Sequence, residues 1–119
     1  MITPVISVAV GGAIGAVLRY IVGSAVAFPL GTLAINVIGS FLISVVWVVF
    51  AARGLHHWLP FVMTGLLGGF TTFSAFSLDT IRLVEAGRIA TAGGYVMVSV
   101  GLSIAACVMG LWIARGITT

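Results

Sequence analysis

Four long apolar stretches follow one another along the chain, at about residues 4–27, 32–52, 61–83 and 89–114, separated by short polar or turn-forming breaks. Each is long enough for a helix to cross the hydrocarbon core of a bilayer, which takes roughly 20 residues. The polar residues inside these stretches are patterned. Thr32, Asn36, Ser40 and Ser44 recur every four positions, and so do Tyr95, Ser99, Ser103 and Cys107. At helical geometry each set falls on one face, which gives the second and fourth helices a polar stripe apiece. Such a stripe either hydrogen-bonds a neighbouring helix or lines a pathway. Four groups in register, with Asn36 near the middle, favour the pathway.

The third stretch is the least regular. It contains Gly65-Leu66-Leu67-Gly68-Gly69-Phe70-Thr71-Thr72-Phe73-Ser74-Ala75-Phe76-Ser77, where glycines weaken the helix and hydroxyls follow closely. Two readings stay open on these residues alone. One is a close-packed small-residue interface. The other is a break at Gly68-Gly69 that presents unpaired backbone groups to ions. The first stretch carries a small-residue face through Gly11 and Gly15, and also Arg19 well inside the apolar run. An arginine there either snorkels to the interface beside Tyr20 or marks a structural or vestibule site. Phe28-Pro29-Leu30-Gly31 reads as a turn. Arg53 to Pro60, with His56, His57 and Trp58, reads as an interfacial loop, since adjacent histidines on a helix point to different faces. Asp79, Arg82, Glu85 and Arg88 read as a solvated helix end tied by i,i+3 pairs.

Composition narrows the class. The 119 residues suit a single domain, and 61% hydrophobic with 6% charged residues excludes an ordinary soluble protein. The formal charge of +3 comes from scattered arginines and makes no nucleic-acid surface. The start of the chain lacks a basic segment and a small-residue cleavage site, so the first stretch reads as an uncleaved span. The single Cys107 reads as a packing residue. No nucleophile–base set, metal cluster or phosphate loop appears, which argues against an enzyme. The expected architecture is an all-α, multi-pass membrane protein of four transmembrane helices.

With the termini on one side, Arg53 and Arg115 lie at one membrane face and Arg82 and Arg88 at the other. The positive-inside rule is left with a tie. That balance fits a chain that inserts both ways and pairs with an inverted copy. Two transport classes compete. A small four-helix exporter of drugs or cations needs a titratable carboxylate in the membrane, and the only acids sit beside arginines at the end of the third stretch. A passive channel needs donors, shape and a dry constriction. Hydroxyls, the Asn36 amide and the positive edges of phenylalanine rings suit a small hydrated anion.

Three segments together, Gly11-Gly12-Ala13-Ile14-Gly15-Ala16-Val17-Leu18-Arg19-Tyr20, Gly31-Thr32-Leu33-Ala34-Ile35-Asn36-Val37-Ile38-Gly39-Ser40-Phe41 and Gly65 to Ser77, closely resemble the CrcB/Fluc family of fluoride channels. The match covers the first three helices in order, and the fourth loosely. The resemblance implies a passive fluoride channel in a prokaryotic cell membrane that lowers cytoplasmic fluoride. It also implies an antiparallel dual-topology dimer, made with itself or with a paired homologous subunit, whose third helices are broken. A structural Na+, not transported, would be held at the dimer centre by the backbone carbonyls of Gly68 and Thr71. The family's pore phenylalanines fall on Phe73 and Phe76, its pore amide on Asn36, its hydroxyls on Thr72 and Ser74, and its motif arginine on Arg19. Where the family commonly carries Ser-Thr between the two rings this chain has Ser74-Ala75, one hydroxyl fewer.

Overall fold

The computed structural model describes residues 2–119, and every regular element among them is helical. Helix α1 (Ile2–Ala25) is followed by α2 (Leu30–Ala52), a 3₁₀ turn (His56–Trp58) and a π-helix (Pro60–Leu67). A one-turn α3 (Gly68–Phe70), α4 (Phe73–Glu85) and α5 (Ile89–Thr118) complete the chain. Four rods are long and apolar enough to cross a membrane: Thr3–Ala25, Leu30–Ala52, the composite His56–Glu85, and Ile89–Thr118.

Their ends follow local chemistry more closely than hydropathy. Helix α1 stops at Ala25, short of position 27, and α2 starts already at Leu30, directly after Pro29 at its N-cap. Helix α5 runs past Arg115 to Thr118, whose hydroxyl donates back to the Ala114 carbonyl at 2.8 Å. The ends of α2 and α4 share one device. Gly54 (φ 66°) and Gly87 (φ 79°) take the left-handed conformation just beyond the helix. The next amides, Leu55 and Arg88, then reach back to the carbonyls of Phe50 at 2.8 Å and Leu83 at 2.9 Å. This is the glycine-terminated closure that reverses a chain after a helix.

Packing between rods is backbone to backbone. Gly11 and Gly15 on α1 lie against the Phe61 carbonyl and the Leu66 backbone, and Gly65 and Gly69 lie against the Val8 and Gly12 carbonyls. A Cβ at Gly69 would come within 2.7 Å of the Gly12 oxygen, and one at Gly65 within 2.9 Å of the Val8 oxygen. The two four-residue glycine spacings therefore form one crossing, the small-residue contact that stands in for the missing hydrophobic drive in lipid. Helix α2 packs along α5, where Gly110 receives the Ser44 hydroxyl and the Phe41 carbonyl. A compact cluster of Phe76, Leu83, Ala92 and Tyr95, flanked by Leu33 and Val96, joins α4 to α5. Large apolar residues such as Val5, Ile81, Ile104 and Trp112 point outward, as a bilayer environment permits.

The third rod departs from the glycine-centred expectation. Gly68 is helical (φ −62°, ψ −37°), and the extended residues are Thr71 (φ −85°, ψ 157°) and Thr72 (φ −155°, ψ 121°). The glycines serve the crossing with α1, and the interruption falls on the β-branched pair, whose stiff side chains suit extended backbone.

Candidate functional site

The interruption is held by side chains from two other helices. Thr72 pairs both peptide groups with one amide: its N–H donates to Asn36 Oδ1 at 2.9 Å, and Asn36 Nδ2 donates to its carbonyl at 3.0 Å. Asn36 thus does for Thr72 what a neighbouring strand would do. On the other side Arg19 Nε donates to the Gly69 carbonyl at 3.0 Å. Thr71 closes the upstream turn, with its N–H and its hydroxyl both donating to the Leu67 carbonyl at 3.0 Å. Thr72 opens α4 as its N-cap, its hydroxyl accepting from the Ala75 amide at 3.1 Å and sharing a bond with the Ser74 hydroxyl at 3.1 Å. Capping of this kind satisfies one of the amides a helix start leaves free. Gly39 completes the fit, because the Thr71 methyl occupies the place a side chain there would take.

One side of this arrangement borders an open cavity of about 330 Å³. Asn36, Gly68, Thr71, Thr72, Phe73 and Phe76 line it, together with Ser40, Ser99 and Ser103 from the two polar stripes, and none of its lining residues is charged. Its two rings differ in environment. Phe76 is 8% exposed, whereas Phe73 is 77% exposed and stands out from the chain. Their centroids are 5.3 Å apart, and Phe76 in turn meets Tyr95 at 5.4 Å, within aromatic contact range. The buried Ser99 hydroxyl has no hydrogen-bond partner among the described residues. A buried polar group of this kind calls for a water or a ligand.

Several expected site residues lie elsewhere. Ser74 is exposed and does not line this cavity, its hydroxyl turned to Thr72. Arg19 is half-buried and lines a separate recess with Tyr20, Ser24, Thr32, Thr72 and Ala75. The position with the missing hydroxyl, Ala75, therefore faces the arginine recess and not the cavity of the two phenylalanines. The stripe on α2 also divides: Ser44 is buried, bonds its own Phe41 carbonyl at 3.0 Å and packs on Gly110. Helix α2 buries its Ser44 turn against α5, so Asn36 and Ser40 reach the cavity of the two phenylalanines while Thr32 opens on the arginine recess.

Asp79 corrects the picture of a solvated helix end. It is 7% exposed, accepts a hydrogen bond from the Tyr95 hydroxyl at 3.2 Å, and lies 3.9 Å from Arg82. Arg82 itself is more than half exposed and stacks over the Phe28 ring at 4.3 Å, so its pairing with Asp79 is a surface-type contact. Charge spacing along one helix showed the Asp79–Arg82 pair but could not show Tyr95 arriving from α5. A tyrosine at the head of the fourth-helix stripe was the available signal.

No group of three or more His, Cys, Asp or Glu side chains could hold a metal among the described residues. A cation would depend on backbone oxygens. Side-chain donors fall on the carbonyls of Gly69 and Thr72, and among the described residues none falls on those of Gly68 or Thr71. The latter two residues both line the cavity of the two phenylalanines. The site therefore combines neutral donors, two aromatic rings and two backbone oxygens that no side chain covers.

Comparison with known proteins agrees with this reading at the level of the family. The family model described as CrcB-like protein, Camphor Resistance (CrcB), matches residues 6–111. A protein of Roseobacter denitrificans named fluoride-specific ion channel FluC is 54% identical over 122 residues, covering 94% of this chain and 95% of its own. One of the same name from Ruegeria sp. is 49% identical, with both chains covered in full. Another from Jannaschia sp. is 62% identical over 91 residues, covering 76% of this chain and 87% of its own. With nearly all of its length matched, this four-rod helical chain belongs to the CrcB family.

Proposed function

We propose that this chain is the subunit of a passive, fluoride-selective channel in a bacterial cell membrane, which lets fluoride leave the cytoplasm. The observation that carries the proposal is an uncharged cavity bordered by Phe73, Phe76, the Asn36 amide and serine hydroxyls, in a chain similar throughout to proteins named fluoride-specific ion channels. Fluoride is small and strongly hydrated, so its dehydration has to be offset by many donors at short range. Phenylalanine edges carry positive partial charge, and hydroxyls and amides donate hydrogen bonds. One Nδ2 hydrogen of Asn36 is engaged by Thr72, which leaves the other for an anion. With no charged side chain in the cavity lining, the ion is held loosely enough to leave. The Ser99 hydroxyl, buried and without a partner among the described residues, is a further donor on this path.

The working unit in this reading is an antiparallel dimer with dual topology. The outward Phe73 ring supports it, since a second copy would cover that ring and close the open side of the cavity. At the dimer centre the Gly68 and Thr71 carbonyls of both copies would hold a structural Na+, which supplies a fixed charge binding the interrupted helices together. Their freedom from side-chain donors and the suitability of oxygen ligands for a hard cation support that assignment.

A proton-coupled exporter is the competing class, and the buried Asp79 is the carboxylate it would require. Asp79, however, lines a smaller recess with Phe28, Pro29 and Arg82, outside the cavity of the two phenylalanines, and is engaged by Tyr95. Efflux from liposomes containing the purified protein separates the classes. Fluoride efflux without chloride efflux is expected. Equal chloride efflux, or uptake of organic cations driven by a proton gradient, would overturn the proposal.

A further inference from the structure

We infer that Arg19 and Asn36 are positioning residues: from α1 and α2 they hold the interruption of the third rod open and select which of its carbonyl oxygens stay free. In an unbroken helix the Gly68 oxygen would accept from the Thr72 amide and the Thr71 oxygen from the Ala75 amide. Here the Thr72 amide goes to Asn36 Oδ1 and the Ala75 amide to the Thr72 hydroxyl. Two further oxygens of the same segment are covered from outside, Gly69 by Arg19 Nε and Thr72 by Asn36 Nδ2, each at 3.0 Å. Among the described residues neither Gly68 nor Thr71 oxygen accepts from a side chain, turn or cap.

The division of labour has a physical basis. A carbonyl stripped of its helical partner in a low-dielectric setting is costly, and a threonine pair left alone would regain helical bonds. Arg19 and Asn36 remove that incentive at two oxygens and one amide, so the extended conformation at Thr71 and Thr72 becomes the satisfied one. The arginine in the first helix and the asparagine in the second thus act through the backbone of the third. The consequence for a cation rests on the sodium reading given above, whereas the conformational effect does not.

Variants separate donor from charge. Arg19→Gln places an amide N–H at the position of Nε without the charge, and Arg19→Met keeps the chain length without a donor. Asn36→Leu removes donor and acceptor together, and Asn36→Asp keeps only the acceptor. Two quantities are measured on purified full-length protein with ¹³C-labelled threonine: the backbone shifts of Thr71 and Thr72, and the NaCl concentration giving half-maximal thermal protection at constant ionic strength. Wild type and Arg19→Gln should both show extended shifts and the same sodium half-point. Arg19→Met and Asn36→Leu should move the shifts toward helical values and raise the half-point by about tenfold or more, the effect of losing one charge-assisted or bidentate hydrogen bond. Should Asn36→Leu fail to fold, Asn36→Asp carries the same test with a smaller displacement. Unchanged extended shifts in Arg19→Met together with either Asn36 variant would overturn the inference. If the shifts move while sodium protects no protein, wild type included, the clamp stands and the sodium reading alone falls.

Discussion

The contact between Gly39 and Thr71 offers a quantitative test of how α2 shapes the interruption. In Gly39→Ala the new methyl would coincide with Thr71 Cγ2, and it would also lie 3.6 Å from Phe70 Cδ2. Thr71 can clear the space only by shifting its backbone or by rotating χ1, which breaks the 3.0 Å bond from its hydroxyl to Leu67. Overpacking of this kind costs about 1–3 kcal/mol, and the lost hydrogen bond about 1 kcal/mol more. Replacing glycine inside a helix returns up to about 1 kcal/mol. The net expectation is a loss of about 1–3 kcal/mol. Thr71→Ser removes the colliding methyl and keeps the hydroxyl bond, costing about 1 kcal/mol for one buried methyl group. In the double variant the two defects fill each other, so the pair should be more stable than the sum by about 2 kcal/mol. Reversible unfolding in detergent micelles, followed by the fluorescence of Trp47, Trp58 and Trp112, supplies the double-mutant cycle. Fluoride efflux should fall in Gly39→Ala and recover in the double variant. Additivity within about 0.5 kcal/mol would refute the idea that the methyl sits in the glycine notch.

Three other expectations follow from the same geometry. Phe73→Ile and Phe76→Ile should each reduce fluoride efflux strongly by removing a polarised ring edge. Their costs to the stability of the single chain should differ, near zero for Phe73, which only a second copy would cover, and about 1–2 kcal/mol for Phe76 in its cluster, and equal losses in dissociated protein would contradict the burial that separates them. Gly68→Leu should leave the single chain folded, since a Cβ there meets nothing nearer than the Met63 oxygen at 3.7 Å, yet it should abolish dimerisation on size-exclusion chromatography. A Cys107→Ser protein carrying a reporter cysteine between Arg53 and Trp58 should be labelled from both membrane sides in functional cells, and one-sided labelling would replace the homodimer with a paired-subunit assembly.

Part of the candidate site was legible because membrane sequences carry few polar residues. Asn36 and Arg19 stood out against an apolar background, whereas Phe73, Phe76 and Thr72 were marked by the family resemblance, and all of these but Arg19 line the cavity of the two phenylalanines. The roles were harder to read than the positions. Sequence spacing placed Asn36 as a free donor, while half of its amide is spent on the Thr72 backbone. It offered a snorkelling, a structural or a vestibule role for Arg19, and the bond from its Nε to the Gly69 carbonyl is of the structural kind. Asp79 was assigned to solvent because its neighbours in sequence are charged, and Tyr95, 16 positions away, buries it.

The sequence alone determined the class of molecule: apolar length and the scarcity of charge require four helical rods in a bilayer, since lipid leaves no other partner for the backbone. Its motifs also determined the family, through residue types at fixed spacings. Only the tertiary structure decided where the third rod is interrupted and what each glycine does. Those outcomes depend on partners far apart in the chain: Gly65 and Gly69 are claimed by α1, while Asn36 and Gly39 on α2 receive Thr72 and Thr71. Local propensity weakens a helix over a whole stretch, but contacts from other helices choose the residue at which it gives way.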